Sequence, residues 1–118
     1  MLLNLSNHPS ISWSPAQLAA AAQEYGVVLD WPFPAIDPLW LKAEIDTLAW
    51  EYCTNILKLS PLPKAVHLMG EMTFCFALVN LLKQHGLICV ASTSRRVVTE
   101  KAPGNKEVLF EFAQFREY

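Results

Sequence analysis

Three short segments of the 118-residue chain carry side chains suited to holding a phosphate. They are Ser6-Asn7-His8, Met69-Gly70-Glu71-Met72 and Ser92-Thr93-Ser94-Arg95-Arg96. Together they offer hydroxyls, an amide, an imidazole, a glycine-led helix start and two guanidiniums. Three hydroxyls beside two arginines exceed what a turn needs, although serines that cap turns and solvated arginines are the plainer reading. Adjacent residues of an extended chain point to opposite faces, so only one arginine can aim at a ligand. Arg95 is the expected one, because Arg96 already begins a strand. Glu71 suits a helix N-terminus electrostatically, or it faces the ligand. His67 reads as a satisfied core histidine, and His85 as a cation suited to the end of a helix.

Several chemistries are absent. There is no phosphate-loop lysine motif and no G-x-G-x-x-G fingerprint. His8, His67 and His85 lack metal-ligand spacing with each other and with Cys53, Cys75 and Cys89. No metal and no cofactor are expected. The three cysteines each sit among apolar residues and read as buried thiols of a reducing cytosol. The N-terminus lacks the pattern of a signal peptide, and no apolar run approaches a membrane span. A cytoplasmic protein is expected, with no membrane partner.

The elements that must position these residues follow from patterning. A length of 118 residues makes a single domain, 1–118. The hydrophobic fraction of 53% against 17% charged residues excludes disorder and points to apolar surface covered by a partner, a second copy first. A net charge of −2 is a poor match for long nucleic acid.

Met1–Leu5 reads as a buried strand. Ser14, Pro15 and Gln17 mark a capping box and the start of a helix that runs to Tyr25, where Gly26 closes it in a left-handed cap. A strand over 27–30 is broken by Trp31-Pro32-Phe33-Pro34. Asp37-Pro38 starts a long helix with an apolar stripe from Leu41 to Leu59. A strand over 65–69 precedes a third helix, 73–85, whose apolar residues cover nearly the whole circumference. That helix should be buried on two sides, one against the sheet and the other against a neighbouring element or another subunit. A fourth strand, 87–91, ends before the serine–arginine segment. Strands 96–101 and 107–115 then pair across Ala102-Pro103-Gly104-Asn105. The expectation is an α/β, Rossmann-like, mostly parallel sheet with helices on both faces and a C-terminal antiparallel β-hairpin. Its ligand site lies beyond the carboxyl ends of the strands, where Asp30-Trp31 after the second strand joins the three segments named above.

The order of Leu5-Ser6-Asn7-His8, His67-Leu68-Met69-Gly70-Glu71-Met72-Thr73, Ala91-Ser92-Thr93-Ser94-Arg95-Arg96 and the closing Phe112-Ala113-Gln114-Phe115-Arg116-Glu117-Tyr118 resembles CRISPR-associated CARF-type proteins, in particular the minimal stand-alone ring nucleases. Met69 and Glu71 depart from the more open, glycine-rich third loop of that pattern. The resemblance implies a homodimer that binds cyclic oligoadenylate, cyclic tetra-adenylate first among the rings, across its two-fold axis. It implies metal-independent cleavage by in-line attack of a ribose 2′-hydroxyl, which switches off type III CRISPR signalling in antiviral defence. His8 and Arg95 would be catalytic. Ser6, Asn7, Gly70, Glu71, Met72, Ser92, Thr93, Ser94 and Arg96 would bind the ligand. A sensor that binds the ring without cutting it, and a protein-interaction subunit with no nucleotide site, are the alternatives.

Overall fold

The computed structural model describes residues 1–118. Strands β1 (Leu2–Ser6), β2 (Val28–Pro32), β3 (Ala65–Met69), β4 (Cys89–Ala102) and β5 (Asn105–Glu117) form one sheet in the order β2-β1-β3-β4-β5. The first four are parallel and β5 runs antiparallel to β4. Helix α1 (Pro15–Tyr25) covers one face, and α2 (Lys42–Leu57) with α3 (Met72–Gln84) covers the other. The architecture is therefore α/β and Rossmann-like.

Every residue of β1 is buried, because its strand lies between two helical layers. Alternation divides it cleanly. Leu3 and Leu5 enter the main core with Val66 and Leu68 of β3, Ile45, Ala49 and Cys53 of α2, and Phe74, Leu78 and Leu82 of α3. Leu2 enters a smaller core under α1 with Trp13, Ala21, Ala65, Val90 and Phe115. Asn4 and Ser6 share the parity of Leu2, so both polar residues fall under α1.

The capping signals around α1 hold in part. The Ser14 hydroxyl accepts from the Gln17 amide at 3.2 Å, but Gln17 returns no bond to complete a box. Gly26 ends α1 at φ 85°, ψ −111°, a region open to glycine but outside the left-handed helical one. The hairpin turn is as expected, with Gly104 at φ 83° after Pro103.

Three expectations change. Strand β2 continues through Trp31 to Pro32, because it is an edge strand bonded only to β1 and a proline there leaves no ladder donor missing. Helix α2 starts at Lys42 instead of Asp37. Asp37 instead closes a local turn, its carboxylate accepting from the Leu39 amide at 2.9 Å, and Glu44 caps the true start by accepting from the Leu41 amide at 3.0 Å. Helix α3 packs against the sheet and against α2, the two sides expected, and leaves a third side open. Phe74, Cys75, Leu78, Val79 and Leu82 face the core, while Met72 and Phe76 are exposed. Finally, Ser92 to Arg96 is no loop. Strand β4 loses its parallel partner β3 after Val90 and continues as one arm of the ribbon with β5, so its ladder never lapses.

Gly70 follows β3 where the chain passes the ring of Phe33. A Cβ at Gly70 would collide with three atoms of that ring, which stands edge-on to Phe74 at 5.5 Å. Gly70→Ala is expected to cost about 1–3 kcal/mol through overpacking. Urea unfolding checks it, and the loss should shrink in a Phe33→Ala background.

Candidate functional site

Register brings three polar side chains into one row. Asn4 of β1 lies opposite Asp30 of β2 on one side and His67 of β3 on the other. Ser92 of β4 extends the row by a fourth strand. The Asn4 amide nitrogen donates to Asp30 Oδ1 at 2.8 Å and to the His8 carbonyl at 2.9 Å. Both partners are acceptors, which sets the orientation of the amide and turns Oδ1 toward His67 Nδ1, 2.8 Å away. His67 therefore carries its proton on Nδ1. Its Nε2 keeps a lone pair, and Ser92 Oγ lies 3.2 Å from it as donor.

Supporting contacts immobilise the row. The His8 carbonyl also accepts from Trp13 Nε1 at 3.0 Å and lies 3.0 Å from Ser6 Oγ, which is 2.8 Å from Asn4 Oδ1. Ser10 closes on Asp30 through its amide at 3.0 Å and its hydroxyl at 2.5 Å. Trp13 and Phe115 stand edge-on over the His67 ring at 5.3 and 5.6 Å. No buried side-chain nitrogen or oxygen lacks a partner. Burial, with the nearby His8 as a lesser cause, pushes the His67 pKa down to about 4. Burial would raise the Asp30 carboxyl, but hydrogen bonds from Ser10 and Asn4 outweigh it and hold that pKa below its ordinary value.

The row ends at a cleft of about 630 Å³ between the start of α1 and the β4–β5 ribbon. Ser14, Gln17, Met69, Ser92, Ser94 and Phe112 are among its lining residues. Alternation along β4 puts Ser92, Ser94 and Arg96 on one face. Their partners on β5 are Phe115, Phe112 and Phe110. Arg95 pairs with Glu111 and belongs to the opposite face. Because the segment is strand and not loop, Arg96 rather than Arg95 shares the strand face of Ser92 and Ser94, although neither arginine lines the cleft, which Thr93 and Glu111 do.

The other expected residues separate. Thr93 lines the cleft, and its hydroxyl donates to the Gln114 carbonyl at 3.1 Å. Ser6 and Asn7 border a different depression with Asp30 and Phe33. The His8 imidazole is exposed and makes no hydrogen bond, while its carbonyl is the hub of the buried row. Gly70 and Met72 line a third pocket with Phe76 and Tyr118. Glu71 is committed to its own helix. Its carboxylate accepts from the amides of Thr73 at 3.2 Å and Phe74 at 2.8 Å, which lowers its pKa. That carboxylate fills the place an anion would take at the start of α3.

From the sequence alone Asn4 is missed, Asp30 sits at a strand end without a role, and His67 reads as a satisfied core histidine, which its buried and bonded ring is. The signal was a polar residue at every second position, Asn4 and Ser6 in one strand and His67 in another. It becomes legible only once the two strands are aligned. No group of three or more histidine, cysteine, aspartate or glutamate side chains is arranged to hold a metal ion. Cys53, Cys75 and Cys89 are buried free thiols, and burial raises the pKa of Cys75 to about 11 and of Cys89 to about 12. They are unsuited to nucleophilic work. No helix is long and apolar enough to cross a membrane.

One family model, described as "Uncharacterized protein MJ1673 family", matches residues 1–116. The chain belongs to this family. The match takes in β1 to β4, the whole polar row and all but the last residue of β5. No curated protein and no solved structure matches the chain.

Proposed function

We propose that the protein binds cyclic oligoadenylate, cyclic tetra-adenylate first among the rings, and cleaves it without metal as a cytoplasmic homodimer. The observation that carries this reading is one face of the β4–β5 ribbon. It presents hydroxyls (Ser92, Ser94), a guanidinium (Arg96) and aromatic rings (Phe110, Phe112) in a single row beside a cleft. Those are the groups that recognise ribose, phosphate and base. The resemblance in Ser92-Thr93-Ser94-Arg95-Arg96 and in the segments around Ser6 and Gly70 supplies the ring and its in-line chemistry.

A ring of identical nucleotides suits an isologous dimer. Met69 borders both the cleft and the pocket formed with Met72 and Phe76. A second copy seated against those exposed side chains would also overhang the cleft.

One preparation tests the reading in two ways. Sedimentation at micromolar concentration should give a dimer, and labelled cyclic tetra-adenylate in a chelator should give linear product by chromatography. A monomer that leaves the ring intact would overturn it. Arg96→Ala should weaken ring binding by about 1.5–3 kcal/mol in calorimetry, the range for hydrogen bonds to a charged group. Arg95→Ala should leave it near the parent value. The reverse ranking would place the ligand on the other face of the ribbon.

A further inference from the structure

We infer that Ser92 takes the proton of the attacking substrate hydroxyl while passing its own to buried His67, so that Ser92 and His67 form a proton relay opening onto the cleft, held in place by Asn4 and Asp30. This rests on the cleft being the site of ring cleavage proposed above. Nothing in that proposal requires a base, and none of the loop residues supplies one: the His8 imidazole makes no hydrogen bond and Glu71 caps a helix.

The relay follows from donor and acceptor accounting. Asp30 and the His8 carbonyl orient Asn4, Asn4 holds the Nδ1 proton of His67, and Nε2 is left as an acceptor. The Ser92 hydroxyl has one hydrogen and two acceptors in reach, Nε2 at 3.2 Å and Met69 Sδ at 3.0 Å. Imidazole nitrogen is the stronger acceptor, so the hydrogen goes to His67. The oxygen lone pairs of Ser92 then remain for a donor in the cleft. Met69 overlies Ser92 on an unbranched side chain that can rotate aside. Asp30 from β2 and His8 after β1 are the titratable groups nearest the row. Trp13, just before α1, and Phe115 of β5 face the ring, and both are neutral.

The step balances without any co-reactant. The ribose O2′ gives its proton to Ser92 Oγ as the Ser92 proton moves to His67 Nε2. The O2′–P bond forms and the P–O5′ bond breaks, leaving a 2′,3′-cyclic phosphate. O5′ takes a proton from water, and His67 returns its proton to water through Ser92. Ser92 touches the reacting hydroxyl, while His67, Asn4 and Asp30 are positioning residues that act through it.

The experiment is single-turnover cleavage of cyclic tetra-adenylate by the parent, Ser92→Ala and Ser92→Thr, with ring affinity measured separately by calorimetry. Ser92→Ala should cut at least about 100-fold more slowly, the lower end for a lost acid–base group, with affinity within about threefold of the parent. Ser92→Thr keeps the hydroxyl and should recover to within about tenfold. In mixtures of H₂O and D₂O the parent rate should fall along a bowed curve, because two protons move, and the residual Ser92→Ala rate along a straight line. If the parent cuts and Ser92→Ala cuts equally fast, the relay is wrong and ring cleavage stands. If Ser92→Ala loses affinity and rate together, Ser92 only binds and the relay is wrong. A straight isotope curve for the parent removes His67 from the step. A parent that leaves the ring intact overturns both proposals.

Discussion

Lowering the pH from 7.5 to 4 is expected to cost the fold about 3 kcal/mol through His67 alone. His67 is 2% exposed, and burial holds its pKa at about 4, against about 6.5 for a histidine in an unfolded chain. Above the unfolded value both states are neutral, and the full stability is present. As the pH falls below 6.5 the unfolded chain takes up a proton that the folded chain refuses. Stability therefore drops until the pH reaches the folded value, where the loss levels off. Asp30 acts in a lower window. Its depressed pKa contributes stability present above an ordinary carboxylate value near 4, and that stability is lost as the pH falls through the folded pKa. Glu71, also depressed, begins to lose its contribution near its ordinary value, so the histidine is isolated by comparison with a variant that lacks it and keeps both carboxylates.

Urea unfolding of the parent and of His67→Gln across that range provides the measurement. The variant starts less stable, because Asn4 and Ser92 lose their partner, but its curve should be flatter by about 3 kcal/mol. Parallel curves would mean that folded His67 takes up a proton as readily as the unfolded chain does, and that burial does not hold the ring neutral.

Replacing Phe74 by alanine is expected to cost about 3–5 kcal/mol. Its side chain is fully buried at the meeting of α3, α2 and the segment after β2. Phe33 and Tyr52 stand edge-on to it, with ring centroids at 5.5 and 5.4 Å. Alanine removes the buried hydrocarbon and both aromatic pairs, and leaves a cavity that neighbours on three separate elements cannot close together. Losses of this size are a large fraction of the stability of a domain this small. Phe74→Leu fills much of the space and should cost markedly less. Denaturant midpoints with unchanged slope check both. A loss below about 1.5 kcal/mol for the alanine variant would show that Phe33 collapses into the gap.

The elements of this fold were legible in its residues. Ser14-Pro15 marks the start of α1, Pro103-Gly104 marks the hairpin turn, and the apolar runs of β1 and β3 could only be strands covered on both faces. These are local matters. Capping, turn geometry and the two-residue period of a strand depend on neighbours a few positions away. The start of α2 was misjudged for the same reason. Asp37-Pro38 is a good local start, but its carboxylate closes a tight turn instead.

The candidate site was legible only in fragments. Ser92, Thr93 and Ser94 were singled out by type, and all three line the cleft. Which arginine shares the strand face of Ser92 and Ser94 depends on whether β4 ends at Ala91 or continues, and it continues because β5 takes up its ladder. Asn4, Asp30 and His67 lie 26 and 63 residues from one another along the chain, measured from Asn4. Each by itself reads as a turn residue or a satisfied core polar group. Strand order and register put them side by side, and the closing of α1 shuts Asn4 and His67 off from the water that would otherwise satisfy them, while Asp30 stays exposed at the edge strand. A buried polar group must then find a protein partner, and that requirement joins them into one row leading to Ser92.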